Sequence, residues 1–192
     1  MCDAYTLSEF QHSCSDFESA FADAVHWKND RMLRPDALAP VMMSDGSVRT
    51  LVCGFQRPFV PPMHVVKSTC LGEKYWKSAA MRGRCLIPMV TFFEVSNGGD
   101  CGSVHELHSR CGGLMLAAGV WDVANRKPRR FAVITGGEPS GAHAVHRPVI
   151  LNETEARAYL SGELDAGSVG EFPFRCVELP SAIRTAGAAA GS

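Results

Sequence analysis

An α+β fold is predicted by three features of the sequence: short runs rich in β-branched and aromatic residues, a few stretches with helical periodicity, and no strict alternation between the two. A regular strand–helix alternation would instead build a doubly wound parallel sheet. A length of 192 residues fits one domain and allows a sizeable core. That domain is expected over residues 1–180. The end of the chain, 181–192, closes on the low-complexity run AGAAAGS and is expected to be disordered.

Ser15 followed by Glu18 reads as a capping box, and Phe17, Phe21 and Val25 then recur at helical spacing, so a helix is predicted from about Asp16 to Trp27. Val41 to Met43 and Val48 to Val52 flank the pair Asp45-Gly46, the signature of a hairpin. A short helix is expected over Glu73 to Met81, around Tyr75 and Trp76. Arg84 to Val95 (RCLIPMVTFFEV) reads as a strand bent at Pro88. Asn97 to Gly113 is Gly-rich and polar, which suggests a surface loop or an irregular hairpin. Leu114 to Trp121 and Phe131 to Thr135 read as strands joined by the basic turn Asn125 to Arg130. Val149 to Leu151 is a short strand that runs into Asn152, an N-cap with Glu155 three residues on. Ala156, Tyr159 and Leu160 give the helix that follows an apolar face, and Gly162 is its natural stop. A last strand is expected near Phe174 to Leu179.

Apolar residues make up 46% of the chain and charged residues 20%, ordinary for a globular protein. Nineteen basic residues against twenty acidic ones leave a net charge of −1, so any contact with nucleic acid must come from a local basic patch. Eight cysteines would suit a disulfide framework, but the opening MCDAYTLSEF has no basic and apolar leader. No apolar run is long enough to span a bilayer. A cytosolic (cytoplasmic) protein with reduced thiols and no membrane association is therefore expected. Walker loops, GxSxG elbows and HExxH helices do not occur, and Gly136-Gly137 is too short to cradle a phosphate.

Cys2 stands out by position. Removal of Met1 leaves an α-amine with a reference pKa of about 8 and a thiol of about 8.5 on one residue. An aldehyde condenses with the amine to an imine, and the thiol then closes a five-membered thiazolidine ring. An internal cysteine has no free amine and cannot do this. Glu94 ends the apolar run Thr91-Phe92-Phe93, where desolvation would suit a carboxyl for acid–base work; a solvent-facing strand position is the alternative. His143, with His146 nearby, precedes an apolar strand and is a candidate proton shuttle, or else a surface residue. Cys101, His105, His108 and Cys111 have the ligand types for zinc, but they are crowded and lack a CxxC knuckle. A surface loop is the favoured reading of that segment, and no cofactor is expected.

These segments together resemble the SOS-response-associated peptidase (SRAP) family of abasic-site processing proteins, in family order from Met1 to about Gly162. MCDAYTL is similar to the family's opening MCxxYxL. Ala39-Pro40-Val41 and Cys53-Gly54-Phe55 resemble its Ala-Pro-Val and Trp-Gly-aromatic stretches. RCLIPMVTFFEV is close to RCLxPxxxFxEW, and Ala118-Gly119-Val120-Trp121 matches Ala-Gly-apolar-Trp. The interval from His143 to Pro148-Val149-Ile150-Leu151 matches one branch of the family.

The resemblance implies a compact α+β domain around a mostly antiparallel, barrel-like sheet with a few peripheral helices. It implies a monomer whose partner is single-stranded DNA containing abasic sites. Cys2 would be the nucleophile, Glu94 the catalytic glutamate, and His143 (with His146 as the fallback) the histidine that assists opening of the sugar ring. The same groups would remove Met1 autocatalytically. Lys67, Phe55 and Arg84 would contact DNA. Some positions depart from the family pattern. Lys67 stands where the family has an asparagine, and Thr69 where it has an arginine. Cys53 and Val95 each replace a tryptophan. Two other readings are a thiol autopeptidase with little DNA affinity and a non-catalytic domain supported by zinc.

Overall fold

Strand β3 (Leu38–Met43) is buried on both faces over most of its length, and the reason organises the whole molecule. Ala39, Val41 and Met43 belong to one core cluster, while Met42 belongs to another. The first cluster fills the inside of a barrel. The second covers its outside, beneath the helices. Strands sandwiched in this way read as near-continuous apolar runs and lose the usual polar alternation.

The computed structural model describes residues 2–7, 16–24, 31–57, 60–96, 103–110, 113–124, 128–136, 147–170 and 172–178. In chain order these form β1 (Cys2–Leu7), α1 (Asp16–Ala24), β2 (Arg31–Leu33), β3, β4 (Val48–Cys53), β5 (Phe55–Arg57), β6 (Val60–Met63) and β7 (Val65–Lys67). They continue with α2 (Lys77–Arg82), β8 (Arg84–Met89), β9 (Thr91–Ser96), β10 (Ser103–Ser109), β11 (Met115–Trp121) and β12 (Arg130–Gly136). The last are β13 (Arg147–Pro148), β14 (Ile150–Leu151), α3 (Glu153–Ser161) and β15 (Phe174–Glu178).

The barrel closes through five strands. β4 pairs β3, β3 pairs β8, β8 pairs β11 and β11 pairs β12, all antiparallel; β12 then returns to β4 in parallel at Arg130↔Val52 and Phe131↔Cys53. Closure removes the exposed edges that an open sheet would leave. A second, antiparallel sheet has the order β15-β10-β9-β1-β2. β8 and β9 are separated only by Val90, so one stretch of chain passes from the barrel into the second sheet. Pro88, expected at the bend, stays in the ladder opposite Leu116; the break falls at Val90. The α+β, barrel-like architecture is thus the one the sequence led us to expect. Among the described residues no helix is long and apolar enough to cross a membrane.

The hairpin at Asp45-Gly46 forms as expected: Gly46 has φ +78°, and Met43 N–H donates to Ser47 O at 2.9 Å. The last helix has its full capping box, with Glu155 N–H donating to Asn152 Oδ1 and Asn152 N–H to Glu155 Oε2, both at 2.9 Å. Gly162 ends it in the left-handed region. Phe17 and Phe21 anchor α1, while Ser15 and residues 25–30, which carry the expected cap and last turn, lie outside the described residues. α2 begins at Lys77, later than expected, because Glu73 to Trp76 form turns. Residues 181–192 lie outside the described residues.

The segment expected to be a surface loop or irregular hairpin needs correction. Ser103–Ser109 is a strand paired on both sides, with β9 and with β15. Its composition misleads because backbone pairing holds it and Leu107 is its one fully buried side chain among those described.

Tyr159 ties α3 to the barrel wall. Its hydroxyl donates to Gly119 O at 2.8 Å in a buried setting, and burial pushes its pKa up, so it stays a donor. Gly119 has little room for a side chain, since a Cβ there would press on Ile87 Cδ1 and come within 3.0 Å of the Ala132 carbonyl oxygen. Tyr159→Phe leaves that carbonyl without this donor and should lower unfolding stability by roughly 1–3 kcal/mol. Urea denaturation of the two proteins checks this.

Candidate active site

The inner face of the second sheet continues the barrel core. Phe92 on β9 is 0% exposed and Leu107 on β10 is 1% exposed; both pack in the cluster that fills the barrel, with the Phe174 ring 5.0 Å from Phe92. Register runs Tyr5↔Phe92↔Leu107↔Cys176 across β1, β9, β10 and β15. Strands alternate faces with period two, so the next position on this face along β9 is Glu94. The Glu94 row reads Cys2↔Glu94↔His105↔Glu178.

An irregularity in β1 brings Cys2 into that row. Tyr5 pairs Phe92 and Ala4 pairs Phe93, so regular pairing would set Asp3 opposite Glu94. The register instead shifts between Ala4 and Cys2, and Cys2 becomes the partner of Glu94. One extra residue on one strand is a β-bulge, which changes the position offered at the strand end. The structure therefore brings together two of the three residues singled out as catalytic from the sequence. The third, His143, lies outside the described residues, as does His146.

The buried thiols do not compete with Cys2. Cys53 is pushed up to about 12, first by burial and then by the charge of Asp36, with Arg130 opposing. Burial likewise raises the pKa of Cys85. A thiol held protonated near neutral pH is a poor nucleophile.

The residues expected to contact DNA lie in different settings. Lys67 ends β7 opposite Thr135, exposed, and Thr69 is exposed just after it. Phe55 is only 5% exposed, with its ring centroid 4.7 Å from that of Trp76, so no open face is left for a base to stack on. Arg84 acts as an internal clamp. Its guanidinium donates to the carbonyls of Ala80 (3.1 Å), Tyr159 (3.2 Å) and Leu164 and to Asp165 Oδ1 (2.9 Å), joining β8 to the ends of α2 and α3. An open cavity of about 370 Å³ lies beside that clamp, between Ser68, Lys77 and Tyr159.

The histidines of β10 do not converge. His105 pairs with Glu94, whereas His108 pairs with Thr91, and residues three apart on a strand face opposite sides. His108 Nδ1 lies 3.1 Å from Thr91 Oγ1, and its Nε2 lies 3.3 Å from Glu106 Oε1. Cys101 and Cys111 lie outside the described residues, and no group of three or more metal-binding side chains occurs among the described ones. His105 entered the sequence reading only as a zinc candidate. Its place beside Glu94 was hidden because the strand that carries it looked like a loop.

Comparison with known proteins gives the family. The model of the SOS response associated peptidase (SRAP) family matches residues 62–172, which include Glu94 and exclude Cys2. No curated relative matches the sequence. Among solved structures, the chain is similar to a protein of Bordetella bronchiseptica at a TM-score of 0.67 and 14% identity, covering 93% of this chain and 100% of that one. A phage-related protein of the same organism gives 0.63 and 17%, with 94% and 95% covered. A protein of Bacteroides thetaiotaomicron gives 0.64 and 14%, with 78% and 77% covered. At these identities the likeness speaks for the fold alone. The family match spans more than half of the 192 residues. The chain belongs to the SOS response associated peptidase family, and with it to proteins associated with DNA in the damage response.

Proposed function

We propose that this protein is a covalent sensor and shield of abasic sites in single-stranded DNA, acting through Cys2 after it has removed its own Met1. The observation that supports this reading is the register that makes Cys2 and Glu94 cross-strand partners. The chemistry needs an amine, a thiol and a proton carrier within one small volume. The α-amine of Cys2 adds to the aldehyde of the ring-opened sugar, and one of its protons moves to the oxygen. Glu94 then protonates the resulting hydroxyl, which leaves as water and gives an iminium. The thiol adds to that carbon and its proton returns to Glu94, so a thiazolidine forms and the carboxyl is restored. Overall one C–N and one C–S bond form, and one water is lost. His143, or His146 in its place, assists opening of the sugar. Lys67 holds a phosphate, a contact that would weaken with salt.

Incubation with oligonucleotides that differ only in one abasic site, resolved on a denaturing gel, tests the reading. A shifted band with the abasic strand alone is the expected result. Shifted bands with both strands, or with neither, would overturn it. A thiol autopeptidase with little DNA affinity is the second reading, favoured by the burial of Phe55 and by Cys53 lying in the barrel core, where neither can stack on a base. Its mark would be Met1 lost with no band.

A further inference from the structure

On the reading that Cys2 and Glu94 react together, we infer that His105 is a positioning residue for Glu94, holding its carboxyl in place for both proton transfers. Glu94 has two cross-strand partners, Cys2 on one side and His105 on the other. Direct partners in an antiparallel ladder share a face, with Cβ atoms about 4.5–5.5 Å apart, within the reach of an imidazole for a carboxyl. His105 in turn pairs with Glu178 on β15, so the titratable positions facing it are Glu94 and Glu178, with Cys2 one strand further. It is half-buried at the end of a face whose preceding row, Phe92 and Leu107, is fully buried. His108 cannot take this part, because it is on the opposite face with Thr91.

An imidazole N–H donated to a carboxylate oxygen fixes the orientation of that group. A carboxyl held in this way keeps its second oxygen for the proton transfers. Glu94 gives its proton to the departing hydroxyl and regains one from the Cys2 thiol, while His105 ends each cycle in the protonation state in which it began. Its contribution is geometric, and it is felt only through Glu94.

The test is the single-turnover rate of adduct formation on a single-stranded oligonucleotide with one abasic site. It compares wild type, His105→Phe, His105→Gln, Glu94→Gln and the Glu94→Gln/His105→Phe double variant. His105→Phe should slow the reaction roughly 10- to 100-fold. His105→Gln keeps an N–H donor and should recover most of that loss. In the double variant the second change should cost nothing further, because its effect passes through Glu94. If the Phe variant does not fold, His105→Ala takes its place. A purely structural role predicts the reverse: Phe tolerated better than Gln, and slowing factors that multiply. That result, or an unchanged rate in His105→Phe, would overturn the inference and leave the functional reading standing. A wild-type chain that forms no adduct would overturn both.

Discussion

Cys2→Ala is expected to abolish the adduct with abasic single-stranded DNA that survives without reduction. A thiazolidine needs an amine and a thiol on neighbouring carbons of one residue, and only an amino-terminal cysteine supplies both. The other thiols cannot replace it, because an internal cysteine has no free amine. Cys53 and Cys85, moreover, are held protonated in the core. The alanine variant, with its Met1 removed by a methionine aminopeptidase in place of self-processing, still carries an amine and can form an imine. That product is reversible and survives a denaturing gel only after reduction with borohydride. Adduct without borohydride in wild type, and only with it in the variant, is the pattern expected. Cys2 holds its place in β1 through backbone pairing, so the variant should keep the wild-type circular dichroism. An unreduced adduct of undiminished yield in Cys2→Ala would mean that the nucleophile is elsewhere.

Glu94→Gln should slow adduct formation by roughly 10²- to 10⁴-fold, the usual contribution of a positioned acid–base group. Glutamine keeps the size of the side chain but cannot exchange a proton, so the change isolates proton transfer from packing. Two steps depend on that proton: loss of water from the carbinolamine and addition of the thiol. Because the carboxyl acts in both, its loss should be felt at each. A rate within about threefold of wild type, far below that range, would remove Glu94 from the mechanism.

Most of the fold could be read from the sequence where local chemistry and tertiary environment agree. Asn152, Glu155 and Gly162 encode a helix by capping alone, and each does in the structure what its type suggests. RCLIPMVTFFEV reads as strand because barrel strands covered on both faces are apolar almost throughout. β10 escaped for the opposite reason. It is held by pairing with β9, just before it, and with β15, far downstream in sequence, and its own residues are mostly polar.

The candidate site divides in the same way. Cys2 and Glu94 were legible as chemical types, the first by its position in the chain and the second by its setting among aromatics. That they are partners was not, since it depends on one extra residue at Asp3 that no local signal marks. His105 was legible as a ligand type and illegible as a neighbour of Glu94. Phe55 shows the converse limit: the sequence gives an aromatic ring, but only packing against Trp76 reveals that the ring is closed to a base.

Chemistry at the amino terminus of Cys2 is tested most directly by the intact mass of the purified chain before and after incubation with an abasic oligonucleotide. The expected result is a chain lacking Met1, which then gains the mass of the oligonucleotide less one water, with the modification mapped to the amino-terminal peptide. A chain that keeps Met1 and gains no mass, or one modified at any residue other than Cys2, would contradict the account.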